Sequence, residues 1–207
     1  YSHPLIKSVP ESDKPILSST EFFHDLMRAN LIFAMAFGYM PWGLRTPYGY
    51  ESDLSDVPDI VKYLSDNGFK FVSSALRGQN GSLEAELTLE RQPHTYAGAG
   101  FPNLVEIPSH GWQDVIFTEE KARALLGKKP LTSTEIKQYY EELLQRGLTL
   151  SREKSPIYIC LCLHPWAVME YDPDLSIHDH LITTAQGRGI EIVSYSQIAD
   201  EVLNNPS

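Results

Sequence analysis

No run in this sequence is apolar for long enough to span a bilayer as a helix. The most apolar stretch, residues 31–40, is short and is interrupted by Gly38. No basic start followed by an apolar block marks a signal peptide, and no Met opens the chain. Cysteine is scarce, with only Cys160 and Cys162 present. Two positions apart on a strand, they share a face but do not easily reach disulfide geometry. This excludes a disulfide framework and favours a reducing compartment, while a secreted or cell-surface location stays open. Basic residues are outnumbered, 17 to 27, giving a net charge of −10. They are scattered, so the stripe expected of a duplex nucleic-acid binder is missing. Repeats and low-complexity tracts are missing as well. What remains is an ordinary globular composition, 42% apolar over 207 residues, enough for one domain spanning residues 1–207.

Residues 4–17 are polar, carry Pro10 and Pro15, and read as a loop. Ser18-Ser19-Thr20-Glu21 starts a helix over residues 21–36, with Phe22, Leu26, Ala29 and Phe33 on its buried face and Gly38 as its stop. Residues 43–45 predict a short strand that ends at the Thr46-Pro47 turn. Further helices are predicted over residues 58–67, 118–127, 133–146, 174–188 and 196–203, with Thr118 capping the second of these. Strands are predicted over residues 69–74, 103–108, 156–163 and 190–194. Residues 78–100 form a long excursion with room for a hairpin. The alternation predicts an α/β fold with a mainly parallel sheet, in which working residues sit where strands end. Arg45 and His164 both fall at such ends.

Along the strand leading to His164, alternation places Cys160, Cys162 and His164 on one face and Leu161 and Leu163 on the other. As zinc ligands the three would stand ~7 Å apart, too far for one ion with bonds near ~2.3 Å. Small residues on an inward sheet face explain the cysteines better. His164 reads either as a capped core histidine or as an acid–base group at a strand mouth. Arg45, held by the rigid Thr46-Pro47 turn, is either a surface residue or the partner of a carboxylate. Trp112 and Asp114 lie just past a strand, where a Trp face beside an Asp can line a sugar pocket or simply cover a small apolar cluster. His178 and His180, at i and i+2 of a helix, point to different faces and read as solvated. Asn80-Gly81-Ser82 fits a glycosylation sequon but reads as a turn.

Three strings in fixed order carry a resemblance: Tyr1-Ser2-His3-Pro4, Arg45-Thr46-Pro47-Tyr48-Gly49 and Leu161-Cys162-Leu163-His164-Pro165. They resemble the later motifs of the NodB-homology polysaccharide deacetylases, carbohydrate esterase family 4. Asn67-Gly68-Phe69 followed by Ser73-Ser74, then Val105-Glu106-Ile107-Pro108, and the tail with Ile192-Val193-Ser194-Tyr195 extend the likeness over nearly the whole chain. The resemblance implies a distorted (β/α) barrel, incomplete at its N-terminus. It also implies a hydrolase that removes N-acetyl or related amide groups from a polysaccharide or amino sugar. In that setting His3 is a ligand of a divalent metal, taken as zinc, with most of its ligands outside this chain. Arg45 orients the catalytic base, His164 is the general acid, and Tyr48 walls the cleft, with Trp112 and Asp114 added as substrate contacts.

Two strings depart from the family pattern. The opening Thr-Phe-Asp-Asp-Gly, which carries the base and a metal-binding Asp, is absent, and Ala75-Leu76-Arg77-Gly78 stand where an Asp-rich string belongs. On this reading the chain begins inside the domain, leaves a sheet edge open and is inactive alone. An N-terminal segment or a second chain would complete the site. The expected partner is a carbohydrate or another small amide, with no nucleic acid and no membrane. A non-catalytic carbohydrate-binding module on the same fold is the alternative.

Overall fold

The structure is a computed structural model that describes residues 5–9 and 12–205, so His3 lies outside the described residues. Helix α1 (Ser19–Phe37) opens on a capping box: the Ser18 side chain accepts from the Glu21 N–H, and Glu21 reaches back to the Ser18 N–H. It closes at Gly38, whose φ of 78° is left-handed. Its buried face is narrower than the apolar spacing predicts. Phe22, Leu26 and Asn30 are buried, Ala29 is exposed and Phe33 is half-buried. Beyond Asn30, Leu31, Ile32, Met35, Phe37, Tyr39, Met40 and Trp42 remain exposed.

Strands β1 (Gly43–Tyr50), β2 (Phe71–Ala75), β3 (His94–Tyr96) and β4 (Phe101–Glu106) form one sheet in the order β1-β2-β4-β3. The first, second and fourth run parallel, and β3 pairs antiparallel to β4 as the hairpin of the long excursion. Helix α2 (Pro58–Asp66), with Pro58 in its first turn, bridges β1 and β2 and buries Ile60, Val61 and Leu64. Asn80 and Gly81 both adopt positive φ, so the sequon is built as a turn.

The remaining helices are α3 (Gln113–Phe117), α4 (Glu119–Lys121), α5 (Ser133–Leu150), α6 (Pro165–Tyr171), α7 (Ser176–Gly187) and α8 (Tyr195–Asn204). Two expectations change here. The helix predicted over residues 118–127 is split into α4 and a π-helical turn (Ala122–Leu126), and the Thr118 hydroxyl donates back to Asp114 O instead of capping. Helix α6, not anticipated, follows directly on His164.

The fold is therefore mixed α/β with a mainly parallel, open four-stranded sheet. Residues 156–163 and 190–194, expected as strands, join no ladder. No helix among the described residues is long and apolar enough to cross a membrane.

The centre of the sheet is fastened by a carboxylate. Glu106 is fully buried at the end of β4, where the ladder with β2 stops after Val72↔Glu106. Its Oε1 accepts from the N–H groups of Ser74 and Ala75 at 2.8 and 2.9 Å. Its Oε2 accepts from the Ser74 hydroxyl at 2.8 Å and the Tyr96 hydroxyl at 2.6 Å. The Tyr96 oxygen in turn accepts from Leu54 N. One side chain thus joins β2, β3, β4 and the loop before α2. Burial pushes the Glu106 pKa up, and the four donors oppose that rise.

Replacing Glu106 by Ala strands two backbone donors and two hydroxyls in the interior. A loss of about 3–5 kcal/mol is expected. Glu106→Gln keeps one acceptor oxygen and should lose less. Urea unfolding of the three proteins checks this ordering, and equal midpoints would remove Glu106 from its place as the sheet's fastener.

Candidate functional site

His164 is brought to the surface by an extended segment with an uncommon set of partners. Alternate backbone N–H groups of residues 158–164 point one way, and each meets a side-chain acceptor instead of another strand. Tyr158 N donates to Gln92 Oε1 at 2.8 Å, and Cys160 N donates to His110 Nδ1 at 2.9 Å. Cys162 N donates to Gln113 Oε1 at 2.9 Å, and His164 N donates to Asp114 Oδ2 at 2.8 Å. Three of these acceptors lie within residues 110–114, where Gly111 has a φ of 91° and α3 begins. The predicted strand periodicity is real, since Cys160 and Cys162 are buried while Leu161 and Leu163 are less so. Side chains take the place of the neighbouring strand.

The acceptors are themselves held. Gln113 Nε2 donates to His110 O at 2.5 Å. Since His110 Nδ1 accepts from Cys160, its proton sits on Nε2 and goes to Arg91 O at 2.8 Å. Burial holds His110 neutral, with a pKa lowered from 6.5 to about 4.

Asp114 does more than receive a backbone hydrogen. The same Oδ2 makes a short hydrogen bond to His164 Nδ1. Asp114 is 2% exposed, so it is not the substrate contact expected from its position beside Trp112. It lies behind the histidine and holds the ring, which leaves Nε2 as the nitrogen able to exchange a proton with a ligand.

His164 opens onto a cavity of about 420 Å³ whose wall includes Arg45, Thr46, Tyr48, Trp112, Lys121 and Trp166. The His164 ring lies 5.8 Å from the Trp166 ring and 6.3 Å from that of Trp112. Tyr48 and Gly49 enter the wall through a bulge. The β1–β2 register jumps between Arg45↔Ser73 and Tyr50↔Ala75, and Tyr48 and Gly49 take φ of 63° and 61°. Gly49 is required twice over, since a Cβ there would also stand 2.4 Å from Leu76 Cβ.

Arg45 shares this cavity with His164, as expected, but among the described residues it holds no carboxylate. Its guanidinium donates to Ser109 Oγ at 2.7 Å and to the Tyr195 hydroxyl at 2.8 Å. Tyr195 passes the link on to Leu161 O at 3.2 Å. Arg45 therefore ties β1 to α8 and to the segment that carries His164. Cys162 also lines the wall, but burial lifts its thiol to about 11 and that of Cys160 to about 12, so both stay protonated near neutrality.

His178 and His180 lie outside the cavity, yet neither is simply solvated. His178 Nδ1 bonds the buried Asp172 at 2.6 Å, and His180 Nε2 bonds Glu141 at 2.8 Å. The Asp172–His178 pair repeats the Asp114–His164 geometry, with the backbone N–H of His178 on the same Oδ2. It faces the Tyr171 hydroxyl, and Asp172 also accepts from the N–H groups of Ile177 and His178, so the pair alone is a capping device. Trp166 and Lys121 escaped the sequence reading. Pro165, favoured at a first helical position, was the signal that a helix follows His164 and carries Trp166 into the wall.

Two larger cavities carry less chemistry. One, about 500 Å³, is an apolar gap between α5, α7 and the unpaired segments at residues 157–161 and 190–194. The other, about 460 Å³, reaches His110, whose two ring nitrogens are already bonded.

Among the described residues no group of three His, Cys, Asp or Glu is placed to hold a metal ion. The described residues therefore do not fit the expected zinc on their own. Compared with known proteins, the chain matches no protein-family model and no curated protein.

His110 gives a pH test of the side-chain ladder. Above pH 6.5 the ring is neutral folded and unfolded, so its contribution is fully present. As pH falls from 6.5 towards 4, the unfolded chain takes up a proton that the folded ring refuses, and stability drops by about 3 kcal/mol in total. Urea unfolding across this range should show a shallower decline in His110→Gln than in the parent. Identical slopes would mean that His110 titrates normally.

Proposed function

We propose that this cavity is the substrate site of a hydrolase that, in the intact protein, opens the amide of an N-acylated amino sugar or a related small amide. Its fold would be of the polysaccharide-deacetylase barrel type. The observation that carries the reading is His164: backed by a buried carboxylate, it opens onto a cavity walled by Tyr48, Trp112 and Trp166. Aromatic faces suit the C–H surfaces of a sugar ring.

The chemistry assigned to this chain is a proton transfer. After water adds to the amide carbonyl, Nε2–H of the protonated ring, with Nδ1–H committed to Asp114, donates to the amide nitrogen as the C–N bond of the adduct breaks, giving a free amine and a carboxylic acid. Asp114 stabilises the imidazolium before transfer and fixes the tautomer after it. Arg45 supports the wall through Ser109 and Tyr195. The resemblance assigns a divalent metal to such a site, which would polarise the attacking water when bound.

A second reading has its own support. Among the described residues no carboxylate lines the cavity, so none is set to act as a base on an attacking water. A carbohydrate-binding module without catalysis has that composition.

Acetate release from N-acetylated oligosaccharides by the intact protein separates the two. For an enzyme, His164→Ala should lower kcat by ~10²–10⁴ with KM little changed, because the general acid acts on the departing amine. Asp114→Asn should lower kcat by loosening the ring. Sugar binding without acetate release supports the binding module. Release that survives His164→Ala undiminished would take the general-acid role away from His164.

A further inference from the structure

The cavity wall is one-sided in charge. Among the described residues it carries Arg45, Lys121 and His164 and no acidic side chain. This occurs in a chain where acidic residues outnumber basic ones by 27 to 17. Asp114 is buried behind His164 and bonded to it.

Lys121 is the informative member. Many surface cations of this protein have acidic neighbours: Lys62 pairs with Asp66, Lys70 with Asp200, Arg123 with Glu119 and Lys128 with Glu84. Lys121 forms no ion pair among the described residues. Its ammonium lies over the face of Trp166, 5.9 Å from the ring centre. A cation resting on an aromatic face keeps its donors for another acceptor.

Uncharged groups point the same way. Thr46 is 4% exposed and lines the cavity, and its hydroxyl has no partner among the described residues. The indole N–H of Trp112, in the same wall, is also buried without an acceptor. Buried polar groups are rarely left unpaired; the indole N–H needs an acceptor, and the Thr46 hydroxyl can donate to one as well.

We propose that the natural ligand of this cavity is anionic: an N-acylated amino sugar that also carries a carboxylate, which docks on Lys121 while the amide faces His164. The proposal rests on the reading of the cavity as a site for N-acylated sugars and adds the charge of the substrate. The His164 ring and the Lys121 ammonium lie 5.8 and 5.9 Å from the ring of the same Trp166, so both border one stretch of the wall. Arg45 is committed to Ser109 and Tyr195, which leaves Lys121 as the cation that selects.

The test uses two sugars that differ at one carbon: N-acetylglucosamine, with a neutral C6 alcohol, and N-acetylglucosaminuronic acid, with a C6 carboxylate. Binding to the intact protein is measured by calorimetry and by tryptophan fluorescence, since Trp112 and Trp166 line the wall. The uronic acid should bind roughly tenfold more tightly, the size expected of one charge-assisted hydrogen bond. Lys121→Gln should abolish the difference between the two sugars, and Lys121→Arg should restore most of it.

Equal affinities in the parent, or a preference that persists in Lys121→Gln, would overturn the proposal. If neither sugar binds, the sugar reading of the cavity falls and this proposal falls with it. If the uronic acid binds more tightly through Lys121 but its amide is never cleaved, the anionic site stands and the hydrolase reading fails.

Discussion

A buried carboxylate that receives two hydrogens from a single residue fixes the position of His164 in this protein. Asp114 Oδ2 accepts from both the backbone N–H and the Nδ1–H of His164. The first bond places the main chain and the second sets the ring on it, so χ1 and χ2 of the histidine lose their freedom together. Such control needs a rigid Asp114, and the start of α3 supplies it. Gln113 and His110 immediately before it anchor two more N–H groups of the same segment. Only a short stretch around Gly111 therefore has to be ordered for the approach to His164 to be ordered.

The sheet follows the same rule where it meets the cavity. Between β2 and β4 the backbone ladder ends after two register pairs, and the Glu106 side chain takes over. Between β1 and β2 the ladder jumps at a bulge that turns Tyr48 into the cavity wall. A regular parallel ladder uses each inward N–H and C=O on its neighbour and leaves the chain straight. Side-chain acceptors satisfy the same groups while letting the backbone turn aside. The cost is exposure to mutation, because removing one such side chain leaves several buried donors unmet.

Much of this was readable from local chemistry, and the rest was not for identifiable reasons. Ser18 with Glu21, and Gly38, announce both ends of α1, because caps are written in adjacent residues. Apolar alternation over residues 158–164 correctly divides Cys160 and Cys162 from Leu161 and Leu163. It says which face is buried, but nothing about whether the edge pairs with a strand or with side chains some 50 residues away. The meeting of Arg45 and His164 was expected from the order of the motifs, whereas Arg45's actual partners, Ser109 and Tyr195, come from segments with no sequence signal linking them. His178 looked solvated because the turn after α6, which sets the Asp172 carboxylate at the head of α7, was not recognised. Asp114 was picked out for the wrong role: its neighbour Trp112 suggested a sugar contact, and only the fold shows it behind the histidine.

The overall charge and the charge of the cavity oppose each other, and magnitudes decide which an incoming ligand feels. A charge of −10 spread over a globule of roughly 20 Å radius repels an anion at its surface by about 2 kcal/mol in pure water. At physiological ionic strength the Debye length is ~8 Å, and most of that repulsion is screened. Contact with Lys121 acts over a few ångströms in a partly enclosed wall, where an effective dielectric near ~20 gives about 3–4 kcal/mol of attraction before desolvation is subtracted. Salt reaches such a contact poorly. The far field therefore fades under working conditions while the local pairing survives. An acidic protein can hold an acidic ligand in this way, provided that its cavity excludes its own carboxylates, as the wall around His164 does among the described residues.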